Sequence, residues 1–335
     1  MNTALLLLAC AKPAPPPAPA ADPPAREFGA ALPEAPVTSL PLDPKSPAAQ
    51  EDAEISGLAW WGDRLLLLPQ YPDFDGESVA VYTLNRADVM AAIDSGAALS
   101  PTPLAFSVTG SEGLTWFREN LDCFEGFEAV VFSGDDAWLT VETCKQGGIV
   151  HADISEAGLT VDPTTLQTIP SNSGISNMAE ETLLLDGERL LTMHEANGAI
   201  VEAPTGHVFS RALESAGEVR VPSLEYRVTD ATSRDEDGRF WVINYFYPKG
   251  SLKTPAVDPL ALAWGVGTSH QSEKHVERLV ELQLSESGVA LVERAPVYLV
   301  LDEDPRNWEG VVRVEGGWLL VTDKYPGTVL GFVRG

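Results

Sequence analysis

The sequence predicts an all-β fold, a five-bladed β-propeller, and two observations lead to this prediction. The first is a hairpin pattern in residues 177–198, where two short apolar segments flank a turn at Asp186-Gly187. The second is that this pattern recurs along the chain with a polar residue at each end. Repeated four-stranded units of this kind close into a ring around a central channel.

The predicted hairpins share one register. Each begins at a polar residue, and these origins are Ser56, Glu128, Glu181, Asp230 and Glu309. A second polar residue follows each origin by 14 positions, at Gln70, Glu142, Glu195, Asn244 and Asp323. Because the strands of a hairpin run antiparallel, we expect both sets of residues at the same end of the channel.

Other apolar segments supply the outer strands, and those after the Glu181 hairpin are expected at residues 199–203 and 218–224. A helical insert is expected at residues 86–97. Only residues 329–333 follow the last hairpin, so its blade lacks a fourth strand. Residues 35–40 near the N-terminus are predicted to fill that place. Such a closure removes the exposed edge of the ring.

A six-bladed ring is the alternative to five blades. Residues 112–114 (Glu-Gly-Leu) resemble the start of the first hairpin at residues 56–58 (Ser-Gly-Leu) and would mark a degenerate blade. They precede Glu128 by only 16 residues, which is too short for four strands. We therefore predict a loop there.

The composition excludes some partners. The 335 residues include 49 acidic and 22 basic side chains, which gives a formal net charge of -27. Nucleic acids and anionic membrane surfaces attract basic proteins, so nucleic acid is not expected as a partner. An acidic chain fits either cation binding or simple solubility, and no apolar run reaches the roughly 20 residues of a spanning helix.

Residues 7–10 (Leu-Leu-Ala-Cys) resemble the lipobox of bacterial lipoproteins, whose cleavage leaves a lipid-modified cysteine as the first mature residue. The resemblance implies a signal peptide at residues 1–9 and a membrane anchor on Cys10. In Gram-negative lipoproteins, a residue other than Asp after this cysteine, here Ala11, favours the outer membrane. Residues 10–26 are rich in Pro and Ala and form an extended tether. We expect the propeller at residues 27–335, as a monomer in the bacterial cell envelope.

The origin residues place four carboxylates and one hydroxyl around a narrow axis. Mutual repulsion would raise the pKa values of these carboxylates, and a divalent cation would relieve it. Ligands that are all oxygens suit Ca²⁺ better than Zn²⁺. The predicted Ca²⁺ ligands are therefore Ser56, Glu128, Glu181, Asp230 and Glu309. The alternative is that these acids are solvated strand ends without an ion.

The order Ser, Glu, Glu, Asp, Glu, with one residue per blade, resembles that of the calcium-activated nucleotidases (apyrases). These are five-bladed propellers with a central Ca²⁺, and Asp230 stands where that family has Ser. The strand start at residues 309–311 (Glu-Gly-Val) also resembles bacterial phytase-like and esterase-like propellers. The resemblance covers the inner hairpins and implies the fold and the ion.

Residues of the predicted mouth loops indicate hydrolysis as a function. Arg118, Arg306 and Lys324 would bind an anionic group such as phosphate next to the ion, which would act as a Lewis acid. Glu195 or Glu142 would be the base, with His194 as a further acid or base. We therefore expect a metal-dependent hydrolase of phosphorylated or ester small molecules.

Two other functions stay open. In the first, the ion only locks the blades and the mouth loops bind a glycan or a protein. In the second, the site resembles that of calcium propellers that open lactones. The sequence has no Gly-x-Ser-x-Gly, no phosphate-binding Gly loop and no His-Glu-x-x-His, which argues against serine hydrolases, P-loop enzymes and zinc proteases.

Two cysteines are predicted to form a disulfide. Cys123 precedes one inner strand and Cys144 follows its hairpin partner. Antiparallel pairing places the two residues side by side, and the cell envelope permits oxidation.

Overall fold

The computed structural model describes residues 31–335 except residues 202, 249–256 and 326. The predicted signal peptide, Cys10 and the tether lie outside the described residues. The strands in chain order are β1 (Glu34–Ala35), β2 (Val37–Leu40), β3 (Ile55–Trp61), β4 (Arg64–Pro69), β5 (Ala80–Asn85), β6 (Thr102–Val108), β7 (Phe124–Ser133), β8 (Asp136–Thr143), β9 (Gln146–Ser155), β10 (Gly158–Pro170), β11 (Glu180–Asp186), β12 (Arg189–His194), β13 (Thr205–Ser210), β14 (Ser215–Arg220), β15 (Arg227–Ala231), β16 (Arg239–Phe246), β17 (Val276–Ser285), β18 (Gly288–Leu291), β19 (Val297–Leu299), β20 (Trp308–Val314), β21 (Gly317–Thr322) and β22 (Leu330–Arg334).

Helices are few and short. The α-helices are α1 (Arg86–Ser95), α2 (Thr115–Asn120) and α3 (Pro259–Trp264), and the 3₁₀ helices are Pro47–Ala49, Glu51–Ala53, Gly198–Ile200 and Ser269–Gln271. The first α-helix is the predicted insert at residues 86–97. No helix in the described part of the chain is long and apolar enough to cross a membrane.

The strands form five blades, in agreement with the sequence. Blade I contains β3 to β6, blade II contains β7 to β10, and blade III contains β11 to β14. Blade IV is built on β15, β16 and β17, and both β18 and β19 pair with β17. Blade V contains β20, β21 and β22. Residues 112–114 lie in the turn before α2 and belong to no blade, as predicted.

The innermost strands close a ring. Each of β3, β7, β11, β15 and β20 contacts the next, and β20 contacts β3 again. The ring therefore has five members, and it leaves no open edge between the first and the last blade.

The N-terminal segment completes the C-terminal blade, which confirms the predicted closure. Strand β2 pairs antiparallel with β22, so that Val37 lies opposite Val333 and Leu40 lies opposite Leu330. The sequence did not predict that β1 also pairs in parallel with β19 of blade IV. The N-terminal segment thus joins blades IV and V.

The outer strands of blade III differ from the prediction, which placed them at residues 199–203 and 218–224. The observed strands β13 and β14 lie between Pro204 and Pro222. Proline has no backbone N–H for a strand ladder, so these two residues bound the strands. Another difference is that β6 and β10 pair in parallel, which joins blades I and II at their outer edges.

Apolar side chains fill the spaces between neighbouring blades. Phe127 of β7 packs against Phe106 of β6 with ring centroids 5.3 Å apart, in the core between blades I and II. Trp241 of β16 and Trp318 of β21 meet edge to face at 4.8 Å between blades IV and V. These contacts fix the relative positions of the blades and hence of the inner strands.

Candidate functional site

Each innermost strand has a β-bulge at its predicted origin residue. The strand registers shift around Ser56, Glu128, Glu181, Asp230 and Glu309. A bulge interrupts the ladder and re-aims a side chain. The five origins are therefore equivalent positions, near the end of the channel where the innermost strands begin.

The second set of polar residues is equally regular. In each hairpin, the residue that follows the origin by 14 positions lies opposite the residue two positions before the origin. The backbone N–H of Glu195, for example, donates to the carbonyl of Ala179 at 2.7 Å, and Asp323 donates to Asn307 at 2.9 Å. Both sets of residues therefore lie at one end of the channel, which we call the mouth.

Three carboxylates come together at the mouth, namely Glu142 of blade II with Glu181 and Glu195 of blade III. One oxygen of each lies within 4.8 Å of the others. All three side chains are buried, and Glu195 has no exposed surface. Glu142 Oε1 and Glu181 Oε2 have no hydrogen-bond partner in the described part of the chain. We call these three residues the carboxylate cluster.

Arg227 of blade IV supplies positive charge to the carboxylate cluster. Its guanidinium forms an ion pair with Glu195, and Nη2 lies 3.6 Å from Glu181 Oε1 and 3.8 Å from Glu309 Oε1. The guanidinium carbon also lies 4.9 Å from the centroid of the Tyr245 ring. Burial would lower the pKa of Arg227, but the surrounding acidic groups, Tyr245 first, raise it above the ordinary value. Arg227 is therefore charged.

Burial changes the ionisation of the carboxylate cluster. It raises the pKa of Glu142 to about 8, although the charge of Arg227 acts in the opposite direction. Burial likewise raises the pKa of Glu181 to about 8, again against the effect of Arg227. In the absence of a further cation, Glu142 and Glu181 would therefore hold protons at neutral pH.

Two other origin residues border the carboxylate cluster and have polar partners. Glu128 Oε1 accepts a hydrogen bond from Gln70 Nε2 at 3.0 Å. Glu309 Oε1 accepts one from the Tyr245 hydroxyl at 2.8 Å. Burial and then the charge of Glu142 raise the pKa of Glu128 well above its usual range. Buried acidic side chains therefore continue beyond the carboxylate cluster.

The remaining predicted ligands, Asp230 and Ser56, have hydrogen-bond partners of their own. The Asp230 carboxylate accepts hydrogen bonds from the backbone N–H groups of Ala231 at 2.7 Å and Val311 at 2.8 Å. The Ser56 hydroxyl donates to the carbonyl of Glu54 at 3.3 Å. The group of carboxylates in the structure thus differs from the predicted ligand set, with Glu181 common to both.

The three basic residues predicted to bind an anion are held by neighbouring acids. Arg118 forms two hydrogen bonds with Asp73, at 2.6 and 2.8 Å. Arg306 Nε donates to the buried Glu277 at 2.9 Å, and Lys324 pairs with Glu54. The structure does not bring these three cations together as a site for an anion, because each one is neutralised where it stands.

His194 lies away from the carboxylate cluster. Successive side chains of a strand point to opposite faces, so His194 and Glu195 diverge. His194 Nδ1 accepts a hydrogen bond from the Ala196 N–H at 3.0 Å, and Nε2 lies 3.4 Å from Ser171 Oγ. Burial lowers the pKa of His194 to about 4. This neutral side chain helps to shape the end of the strand and does not face the cluster.

Sequence reasoning missed Arg227 and Glu180. Arg227 is a single basic residue three positions before the origin Asp230. That position is the only sequence feature that could have indicated a place near the channel mouth. Glu180 directly precedes the origin Glu181 and has no exposed surface. Neither of its carboxylate oxygens has a hydrogen-bond partner within the described residues, and burial raises its pKa to about 8.

The predicted disulfide is present. Cys123 and Cys144 are bonded, and their Cα atoms lie 5.6 Å apart. The bond links the segment before β7 to the segment after β8, two residues from Glu142 in the chain. It therefore fixes the ends of the strand pair that carries one member of the carboxylate cluster.

The carboxylate cluster fits a divalent cation. Oxygens that bind one Ca²⁺ at about 2.4 Å can lie at most about 4.8 Å apart, and the three nearest oxygens of the cluster meet this limit. Three ionised carboxylates, the Arg227 guanidinium and one divalent cation would also sum to zero charge. Carboxylate oxygens without partners are the donors that Ca²⁺ prefers.

Comparisons with known proteins show the fold. No family model and no curated protein matches the chain. Among solved structures, the catalytic domain of the GH62 α-L-arabinofuranosidase of Coprinopsis cinerea is 9% identical with a TM-score of 0.50, over 90% of this chain and 98% of that one. A thermostable family-43 glycoside hydrolase is 12% identical with a TM-score of 0.48, over 84% and 89%. At 9% identity, the likeness to the arabinofuranosidase supports the propeller fold and carries no residue roles.

Proposed function

We propose that the channel mouth binds one divalent cation, with Ca²⁺ as the expected ion, and that the protein is a hydrolase that uses this site. The observation that carries the proposal is the carboxylate cluster. One oxygen of each of its three residues lies within 4.8 Å of the others, and Glu142 Oε1 and Glu181 Oε2 are buried without hydrogen-bond partners in the described structure. A bound Ca²⁺ would supply Lewis acidity.

The residues of the channel have distinct roles in this proposal. Glu142, Glu181 and Glu195 would hold the ion. Arg227 orients the Glu195 carboxylate by its ion pair. Glu309 and Tyr245 form the neighbouring wall, where the Tyr245 hydroxyl holds Glu309 in place. Glu142, which the sequence predicted as a base, would then serve as a ligand.

The ion pairs of the basic residues bear on the substrate class. Because Arg118, Arg306 and Lys324 are each held by an acid, the support for a phosphorylated substrate is weaker than the sequence indicated. We therefore place uncharged substrates first, namely aryl esters, lactones and glycosides. Glycosides are included because the arabinofuranosidase and the family-43 enzyme with which the chain shares its fold are glycoside hydrolases by name.

The first experiment tests the ion. We expect EDTA to lower the melting temperature of the purified protein and added Ca²⁺ to restore it. Glu181→Gln should lose most of this Ca²⁺ response. Glu286→Gln is the matched control, because Glu286 is exposed in the turn between β17 and β18 and lies far along the chain from the cluster. A melting temperature that changes with neither EDTA nor Ca²⁺ would contradict the proposed ion site.

The second experiment tests hydrolysis. Aryl esters, lactones, aryl α-L-arabinofuranosides and aryl phosphates would be incubated with the protein in Ca²⁺ or in EDTA. We expect turnover of one uncharged class that depends on Ca²⁺ and is lost in Glu181→Gln. If Ca²⁺ binds but none of these substrates turns over, the second candidate function applies, a non-catalytic propeller with a structural ion. The deep burial of Glu142 and Glu195, at 1% and 0% exposed, favours that candidate.

We also propose that Cys10 anchors the protein in the outer membrane of a bacterial envelope, with residues 10–26 as the tether. The support is the lipobox-like segment at residues 7–10. Expression in a Gram-negative host with radiolabelled palmitate tests this. Label should enter the wild-type protein and fractionate with the outer membrane, whereas Cys10→Ser should remain unlabelled. Label in both proteins, or in neither, would contradict lipidation at Cys10.

A further inference from the structure

A cleft of about 760 Å³ opens on the mouth side of the propeller, and its lining does not include the carboxylate cluster. Blade IV contributes residues 247–248 and 272–275, blade V contributes residues 303–305 and 325, and Glu51 precedes blade I. All these stretches adjoin the mouth ends of their strands. We call this space the mouth cleft. Its size suits a small organic molecule.

The mouth cleft is strongly acidic. Among the described residues, its lining contains the exposed carboxylates of Glu51, Glu273, Glu303 and Asp304 and one basic side chain, Lys274. No salt bridge joins these carboxylates to another described residue, whereas the basic residues elsewhere at the mouth are paired. A concave surface with an excess of unpaired negative charge attracts cations and repels anions.

Two tyrosines give the mouth cleft aromatic walls. Tyr325 is 57% exposed, one of the most exposed large hydrophobic side chains in the described structure, and Tyr247 of the neighbouring blade is partly exposed. The face of a tyrosine ring attracts ammonium groups through its quadrupole. Aromatic faces combined with unpaired carboxylates are the chemistry that recognises alkylammonium ions. Inorganic cations would gain little from the tyrosines.

His275 provides independent evidence that the mouth cleft binds a ligand. His275 lines the mouth cleft but is only 4% exposed. Nε2 is buried without a hydrogen-bond partner in the described part of the chain. Buried polar atoms in folded proteins almost always have partners, so an unpartnered one beside a cleft indicates a ligand group or an ordered water. A neutral imidazole nitrogen can accept a hydrogen bond from an ammonium N–H.

We propose that the mouth cleft binds an organic cation of the alkylammonium class. The ammonium group lies between the faces of Tyr247 and Tyr325 and is balanced by Glu303 and Asp304. An N–H of a primary or secondary ammonium donates to His275. This site is separate from the divalent-cation site and does not depend on hydrolysis.

Calorimetric titration of the full-length protein tests the proposal, with spermidine and choline as probes. The buffer contains saturating Ca²⁺, which fills the channel site, and near-physiological salt, which screens weak surface attraction. Both cations should bind at one site, and inositol and sulfate should not. Failure of both cations to bind, or their complete displacement by Ca²⁺, would overturn the proposal.

Matched charge variants separate a built site from general attraction by an acidic protein. Glu303→Gln/Asp304→Asn removes two charges in the mouth cleft, and Glu286→Gln/Glu293→Gln removes two exposed charges outside it. We expect the first double variant and Tyr325→Ala to weaken both probes by about tenfold, a change of about 1.4 kcal/mol. The second double variant should bind like wild type. Equal weakening in both double variants would show that net charge alone is responsible.

The two probes also test His275. The ammonium groups of spermidine carry N–H donors and the quaternary nitrogen of choline carries none. His275→Leu removes the acceptor, so it should weaken spermidine more than choline. Melting curves of each variant confirm that it is folded. If spermidine binds His275→Leu as tightly as wild type, Nε2 has no role in recognition and that part of the proposal fails.

Discussion

Arg227 of blade IV forms an ion pair with Glu195 of blade III, whose carboxylate has no exposed surface. The same guanidinium lies within 4 Å of Glu181 and Glu309. Arg227 of blade IV is therefore the group that links the acids of blades III and V. Its removal tests how far the fold depends on charge balance in the channel.

Arg227→Met is expected to destabilise the protein by about 3–5 kcal/mol in EDTA, because it leaves a buried carboxylate without its partner. Urea denaturation measures the change. Arg220→Met is the control, because Arg220 is exposed at the end of β14. Since a divalent cation would take over part of the charge balance, Ca²⁺ should recover some of the loss. Similar stabilities for the two variants would contradict the role of Arg227.

The raised pKa values predict a pH-dependent stability in EDTA. The folded-state pKa of Glu142 is about 8, above its usual value, because burial opposes its ionisation. Between the two pKa values the folded state holds a proton that the unfolded state has released, so stability falls as pH rises from about 4.5 to about 8. Glu142→Gln should reduce this slope, measured as the melting temperature from pH 5 to pH 8. An unchanged slope would mean that Glu142 ionises normally.

Ca²⁺ binding should release protons at neutral pH. Glu142 and Glu181 both have pKa values of about 8 without an ion, and a cation binds their ionised forms. Titration of Ca²⁺ into a weakly buffered solution of the protein at pH 7 should therefore lower the pH. Calorimetry in buffers of different ionisation enthalpy gives the number of protons. Binding without proton release would contradict the assigned ligands.

Substitution of Asp230 tests whether this origin residue stabilises the fold or binds the ion. Its carboxylate accepts the N–H groups of Ala231 and Val311, which ties the inner strand of blade IV to that of blade V. Asp230→Ala should cost about 1–3 kcal/mol in urea denaturation, because two buried donors lose their acceptor. Its Ca²⁺ affinity should stay close to wild type. A large loss of affinity in a folded Asp230→Ala would make Asp230 a ligand after all.

The contacts of Glu34 predict that the N-terminal segment contributes to the stability of the fold and that this contribution is lost in acid. Its carboxylate accepts hydrogen bonds from Ser269 N at 2.9 Å and Ser269 Oγ at 2.7 Å and contacts His270 Nδ1 at 2.8 Å. Burial raises the pKa of Glu34, but the bonds from His270 and Ser269 outweigh it and lower the pKa below its usual value. The stabilisation is thus present above about pH 4.5 and is lost as the pH falls.

The corresponding variant is Glu34→Gln. It should lose about 1–3 kcal/mol of stability at pH 7, as expected when charged hydrogen bonds are removed, and the difference from wild type should shrink towards pH 4. Urea denaturation at both pH values measures it. A difference that persists unchanged at low pH would show that the ionisation of Glu34 is not the cause.

Much of the architecture could be predicted from the sequence because the two strands of a hairpin are adjacent in the chain. The apolar segments around Asp186-Gly187 follow one another in the chain, and a two-strand pattern with a turn constrains its own register. The equivalence of the five origins followed from their spacing, and the bulges confirm it. The outer strands of blade III were less predictable, because Pro204 and Pro222 shift their bounds while the apolar pattern there is weak.

The sequence by itself determined the five repeats, the closing strand, predicted at residues 35–40 and observed at residues 37–40, the disulfide, and the positions that face the channel mouth. Only the tertiary structure decided which of those polar residues meet. Glu142 and Glu195 meet Glu181, and Arg227 lies among them. These contacts join side chains from separate blades that are distant in the chain. Local patterns fix where a side chain emerges from a strand, but its charge partner depends on how the blades pack around the axis.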